Sequence, residues 1–255
     1  LRPILLLAFT FACAGSDTDD KNDTDLADTE PADTDDATPE TDVPDTDVPD
    51  TDVPDTDVPA PTLAELLAGG ATVQDLLDDG YTPLAIYEAD NTLLMTIYGS
   101  IYQGGHIFHL DTTNGTGLVS EQGTSRDSYP WSGLRWSCSG EAADLPGADG
   151  TAIGTGAQNT ADMIAACPAD DTAASVCDDL VVGPYDDWFL PSRDELQLMY
   201  TNLKNNGNKG NLHANNYWSS TESSTSTAYY VFFATGSAAM DDKTDPNRIR
   251  AVRAF

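Results

Sequence analysis

Apolar positions along the chain fall into three regimes with different spacing. Residues 4–11 form a nearly unbroken apolar run, whereas residues 14–61 carry almost no large apolar side chain. From Thr62 a ten-residue repeat begins, with Thr62, Thr72, Thr82 and Thr92 each opening a unit. The pairs Leu66-Leu67, Leu76-Leu77 and Ile86-Tyr87 recur inside it as one apolar stripe. In the first two units an acid, Glu65 or Asp75, follows three residues after the threonine. That is a capping box, in which the hydroxyl accepts an orphan backbone N–H and the acid favours the positive helix start. Pro83 stands at a first helical position, where its missing N–H costs nothing. Gly69 and Gly80 mark the exits. The pattern predicts short stacked helical turns over residues 62–97, a collar with a structural role.

Beyond Tyr98 the period changes. Residues 101–110 and 115–119 read as strands, and residues 120–157 as ordered loop rich in Gly, Ser and Trp. Residues 159–167 predict a short helix stopped by Pro168, and residues 173–180 another. The strongest helix signal runs from Ser192 to Leu203, with a Ser192/Glu195 capping box and Leu196, Met199, Tyr200 and Leu203 at helical spacing. Strands are expected at 217–220, 228–234 and 249–255, separated by polar turns. Residues 229–233 alternate, so Tyr229, Val231 and Phe233 face inward while Tyr230 and Phe232 face solvent. An exposed aromatic pair framed by Ser, Thr and Asp has the composition of a paratope.

Charge refines this picture. The formal net charge is −32, and residues 14–61 hold 18 of the 43 acids against one base, Lys21. Residues 62–255 remain acidic, with 25 acids and 9 bases, which disfavours nucleic acid as a partner. The acidic stretch ends in tandem Asp-Thr-Asp-Val-Pro pentapeptides over 45–59. Like-charge repulsion and regular proline predict a disordered, solvated stalk over 14–61, about 150 Å long if fully extended. Arg2, the short apolar run and Ala12-Cys13 read as a secretory signal over residues 1–13. The run is too short to span a bilayer. Cys13 occupies the position of a lipidated lipoprotein cysteine, so export and a lipid anchor at the outer membrane or cell surface are expected.

Outside the cytoplasm a disulfide is allowed. Cys138, Cys167 and Cys177 supply one bridge and one leftover thiol, and spacing does not select the pair. Catalytic constellations are weak. His106 and His109 lie three apart on a predicted strand and are expected to face opposite sides. The carboxylate pairs Asp186-Asp187 and Asp241-Asp242 are adjacent rather than opposed, and His213 lies in an Asn/Gly-rich loop. No enzyme and no cofactor are expected, with calcium a minority alternative.

Five segments in order carry a family resemblance. They are Tyr-Gln-Gly-Gly-His-Ile-Phe-His-Leu at 102–110, Thr-Ala-Ile-Gly-Thr-Gly at 151–156 with Asn159-Thr160, and Asp-Trp-Phe-Leu-Pro-Ser-Arg-Asp-Glu-Leu at 187–196. Tyr-Trp-Ser-Ser-Thr-Glu at 217–222 and Arg-Ala-Val-Arg-Ala-Phe at 250–255 complete the set. Together they resemble the C-terminal domain of bacterial collagen-like adhesins, related to the formylglycine-generating-enzyme type of C-type lectin fold. The resemblance implies an α+β, C-type-lectin-like domain over 98–255, two helices on short antiparallel sheets. Trp188, Phe189 and Leu190 would enter the core, and Trp218 and Phe255 would pack beneath a surface built between them. No cysteine follows Cys177, so formylglycine chemistry lacks its thiol. The Glu-Pro-Asn triplet of calcium-dependent lectins is absent, with Asp245-Pro246-Asn247 the nearest echo.

The 217–247 segment also resembles the variable region of diversity-generating-retroelement target proteins. That likeness implies ligand-binding candidates at Ser224, Thr225, Ser226, Tyr230, Phe232, Thr235, Ser237, Ala238, Met240, Asp241 and Asp242. The function so implied is a surface receptor or adhesin for an extracellular protein or glycan. A structural envelope component assembling through the same face is the alternative.

Overall fold

The computed structural model describes residues 59–123, 133–138, 145–168 and 171–255. The expectations for the signal, Cys13 and the stalk up to residue 58 lie outside the described residues.

The ten-residue repeat folds as its caps dictate. Helices α1 (Leu63–Ala68) and α2 (Val73–Asp78) each start at a threonine that forms a complete capping box with Glu65 or Asp75. Helix α3 (Pro83–Ala89) is capped by Thr82 and carries Pro83 in its first turn. The fourth unit breaks the pattern. Asp90, two residues before Thr92, accepts the Thr92 N–H at 2.9 Å and caps a 3₁₀ turn ahead of α4 (Leu94–Ile97). The turns after α1 and α2 pass through Gly70 and Gly80, both at positive φ, where a side chain would be strained.

Two small antiparallel sheets follow. The first has the order β1-β2-β3-β7, with β1 Ile101–Tyr102, β2 Gly105–Leu110, β3 Gly117–Glu121 and β7 Val252–Ala254. The second has the order β4-β5-β6, with β4 Asn216–Glu222, β5 Thr227–Phe232 and β6 Ser237–Asp242. Among the described residues three helices pack with them, α5 (Gly156–Ala166), α6 (Ala173–Asp178) and α7 (Arg193–Met199), the three the periodicity predicts and one more than the resemblance implied. α7 continues into a π-helical turn, Tyr200–Lys204. The architecture is α+β and consistent with the C-type-lectin-like expectation.

The collar expected over residues 62–97 packs into this core. Val73, Leu76, Leu77, Ile86 and Ile97 share one buried cluster with Ile107, Leu110 and Val119 of the first sheet. Polar contacts fix the docking. The Gln74 side-chain amide pairs with both the N–H and the C=O of Ile101, standing in for a strand neighbour of edge strand β1. Lys209 Nζ donates to the carbonyls of Met95 and Tyr98 at the end of α4, at 2.6 and 2.8 Å. A cation there satisfies orphan carbonyls and complements the helix dipole.

A β-bulge corrects the histidine geometry. The register of β2 on β3 shifts between Ile107 and His109, so His106 lies opposite Ser120 and His109 opposite Leu118. Ser120 and Leu118 are two apart on β3 and share a face, so both histidines lie on one side of the sheet rather than opposite sides. The bulge carbonyl of Phe108 accepts from Asn202 Nδ2 at 2.9 Å, linking it to the π-helical turn. Burial lowers the pKa of both histidines, with the Asp111 charge opposing this at His109 and a hydrogen bond to the Gly99 carbonyl opposing it at His106.

The disulfide joins Cys138 to Cys167 at the end of α5. Cys177 is a buried thiol on α6, outside the bridge.

Candidate ligand-binding face

The second sheet stands on the Trp-Ser-Ser-Thr-Glu motif of β4, which is buried throughout. Each side chain holds a different part of the chain. Trp218 Nε1 donates to the Leu134 carbonyl at 2.8 Å, and Trp136 Nε1 returns to the Ser219 carbonyl at 2.6 Å. Ser219 Oγ donates to the Tyr229 carbonyl on β5, and Asn159 Nδ2 of α5 donates to Ser220 Oγ. Thr221 Oγ1 donates to the Gly150 carbonyl and accepts from the Arg193 N–H at the start of α7. Glu222 accepts from the Leu145 N–H and is ion-paired with Lys243, which is buried with its ammonium over the Trp136 ring. The motif is therefore a hub that fixes loops and helices to the sheet. It offers no side chain to a ligand.

The start of α7 is equally committed. Glu195 is fully buried and accepts from the Ser192 N–H and the Gly154 N–H, both at 2.7 Å. Burial raises its pKa, and the backbone N–H groups of Ser192, Gly154 and Gly156 work against that rise. As expected, Trp188, Phe189 and Leu190 are buried just ahead of this helix. Phe255 does not lie beneath the second sheet. It packs edge-on against Tyr102 of the first, with ring centroids 5.1 Å apart.

Register divides the candidate residues between two faces. Tyr230 pairs with Trp218 and Ala239, Phe232 with Ser237, and Ala228 with Asp241. Directly paired residues share a face, so Tyr230, Phe232, Ser237 and Asp241 lie on the Trp218 side. Ala238, Met240 and Asp242 alternate to the other side with Val231 and Tyr229, the side that faces α7. Phe232 is 36% exposed, as expected. Tyr230 is only half-exposed, because its ring stands edge-on to the buried Trp218 indole at 6.4 Å. Ala238 is half-buried against the core under α7, and Met240, on the same side, is 56% exposed. Tyr229 carries Arg193 over its ring.

The two turns lie at opposite ends of the strands. Ser224 Oγ is used locally, bonded to Thr227 Oγ1 at 2.8 Å and accepting from the Ser226 and Thr227 N–H groups. Thr235 Oγ1 donates to Ser237 Oγ at 3.0 Å in the other turn. That turn rests on α7's extension, since a Cβ at Gly236 would meet the Tyr200 ring at 2.3 Å. About 17 Å of strand separates the turns, so the candidates form a band rather than one pocket.

Asp241, Asp242 and Asp245 cluster near the first turn. Asp245 is raised by a hydrogen bond to and repulsion from Asp241, whereas Thr244's hydroxyl and N–H hold Asp242 low. The Asn247 amide, in the nearest echo of a lectin triplet, donates to Asp241 Oδ2 at 3.1 Å. His213 is exposed in the loop before β4, and its N–H donates to the Tyr217 hydroxyl. Among the described residues, no three His, Cys, Asp or Glu side chains group to hold a metal. A cleft of about 340 Å³, lined by Gly104, Glu121, Gln122 and residues 180–183, shares no residue with the candidate face.

Sequence reasoning missed β6, the Lys243–Glu222 pair and the exposure of the β6 edge. The fold is an α+β domain whose second sheet is held by the buried hydrogen bonds of β4. Residues 123–253 match the family model of the Lcl C-terminal domain, and the chain belongs to that family. The expected relationship to the C-terminal domains of bacterial adhesins is thereby met. No curated protein matches the chain.

Proposed function

We propose that the protein is a surface-displayed, lipid-anchored receptor or adhesin that binds an extracellular protein or glycan through the 217–247 face, without catalysis. The observation that supports this reading is the exposed Phe232, beside Tyr230 braced on Trp218, on a sheet whose supports are buried. Rigid aromatic surface ringed by Ser, Thr and Asp binds with little ordering cost. The same division of labour suits sequence diversification, because the exposed positions are not those that hold the sheet together. Met240 and Phe232 lie outside the clamp formed by Trp218 to Glu222.

The test is surface attachment by cells carrying the full chain. Phe232→Ser is expected to weaken attachment at least about tenfold, the scale of a lost aromatic anchor, while leaving the melting temperature nearly unchanged. Unchanged attachment would overturn the reading. The protein is expected to act without a cofactor, so chelation of divalent cations should alter neither attachment nor melting temperature. Sequencing the 3′ end of the gene across one growing population tests diversification, which requires substitutions concentrated at codons 224–246.

A further inference from the structure

β6 is an edge strand. It pairs with β5 on one side and, among the described residues, with no strand on the other. The hydrogen-bond phase follows from one bond just past its end, Lys243 N–H to the Ser226 carbonyl at 3.0 Å. In an antiparallel ladder the bonded pairs alternate. Asp241, Ala239 and Ser237 therefore point their backbone groups at β5, and Ala238, Met240 and Asp242 point theirs outward. Asp242 is engaged locally: its N–H donates to Asp241 Oδ1 and its carbonyl accepts from the Asp245 N–H. Ala238 and Met240 remain, two consecutive rungs about 6.8 Å apart with outward N–H and C=O groups.

An open edge of this kind is a template for one more strand. Its charge selects the occupant. Lys243, the only basic residue between 223 and 247, is buried against Glu222, so the charge of this segment comes from the exposed Asp242 and Asp245 and the part-exposed Asp241. Arg193, over the Tyr229 ring opposite Met240, is ion-paired with Asp194. A second copy would bring another strongly acidic domain, and a polyanionic chain would meet the same carboxylates; both are repelled. A peptide strand also supplies N–H and C=O groups at the spacing of the two rungs. The Met240 side chain is exposed on the α7 side of this strand, where a flexible thioether adapts to varied neighbours.

We propose that β6 captures an extended segment of a partner protein that carries lysine or arginine, adding it as a further strand along Ala238–Met240. This rests on the binding-face reading and specifies the partner's chemistry. Recognition is through the backbone at the rungs and through charge at the Asp241/Asp242 end.

The probe is a capped (Lys-Val)₃ hexapeptide, with capped (Glu-Val)₃ as control, added to the full chain. Hydrogen exchange resolved to residues 237–242 reads the edge separately from the acidic stretch nearer the N-terminus. The basic peptide should slow exchange at Ala238 and Met240 about tenfold, as expected for amides newly hydrogen-bonded, and the acidic peptide should not. Met240→Pro removes one outward N–H and leaves the β5 bonds intact, and it should cut that protection. Should that variant fail to fold, N-methylation of alternate amides in the peptide tests the same bond from the other side. Unchanged exchange at 237–242 under saturating basic peptide would overturn the proposal, as would protection that grows with protein concentration alone. A chain in which Phe232→Ser abolishes attachment while the edge stays unprotected would keep the binding face and lose the edge inference.

Discussion

At the scale of single residues, Lys243 shows how a charge becomes structural. Its ammonium is buried, paired with Glu222 and laid over the Trp136 ring, and its carbonyl accepts from the Trp136 N–H. Glu222 in turn holds the Leu145 N–H. Lys243→Met would keep most of the apolar stem and strand a buried carboxylate. The expected loss is about 3–5 kcal/mol, the scale for breaking one half of a buried pair, read by urea denaturation. Replacing both partners by Met and Leu should cost much less, because no charge is left behind. A loss no larger than that of a surface substitution would show the pair to be dispensable. Nothing in the sequence announced this contact, since the partners are 21 residues apart and each looks like an ordinary surface charge.

Elements differ in how much of their cause is local. The capping boxes of α1, α2 and α7 were legible because donor and acceptor are three residues apart and need no tertiary partner. β6 was not, because Ser-Ala-Ala-Met-Asp-Asp has no β-branched or aromatic residue; its strand state comes from pairing with β5. The bulge at Phe108 and the choice of Cys138–Cys167 were likewise invisible, being set by neighbours distant in sequence. Of the candidate site, alternation placed Phe232 correctly but could not foresee Trp218 under Tyr230. The collar gives a direct test of local causes. Thr72→Ala removes the hydroxyl's half of one capping box, its acceptance of the Asp75 N–H and its bond to the Asp75 carboxylate, keeps the backbone N–H bond to that carboxylate, and should cost about 1 kcal/mol at neutral pH. Asp75 is held below the ordinary aspartate range, first by the Thr72 hydroxyl and then by its backbone N–H. A depressed carboxylate stabilises above its ordinary pKa, and that contribution disappears as pH falls through the folded value. The penalty of Thr72→Ala should therefore shrink in acid; a penalty constant from pH 7 to below that value would assign the cap to the hydroxyl alone.

For the whole molecule, the question is where the folding unit begins. The family match starts at Gly123, yet β2 and β3, which pair with each other and of which β3 pairs with β7, lie before it. A fragment of residues 123–253 would lose both strands and leave Val252 and Arg253 without their partners on β3. Starting at residue 98 restores the strands but removes the collar. Ile107, Leu110 and Val119 would then lose Val73, Leu76, Leu77, Ile86 and Ile97 from their shared cluster. At about 1.5–3 kcal/mol for each buried aliphatic side chain, those five represent roughly 8–15 kcal/mol as an upper bound. That equals the whole net stability of an ordinary domain. Residues 59–255 should unfold in one cooperative transition in urea, whereas residues 98–255 should show no cooperative transition and should bind a hydrophobic dye. A sharp transition from residues 98–255 would mean that the collar is an accessory laid on a finished domain. Its absence would make the ten-residue repeat, with Gln74 completing the edge of β1, as much a part of the domain as the sheet that carries Phe232.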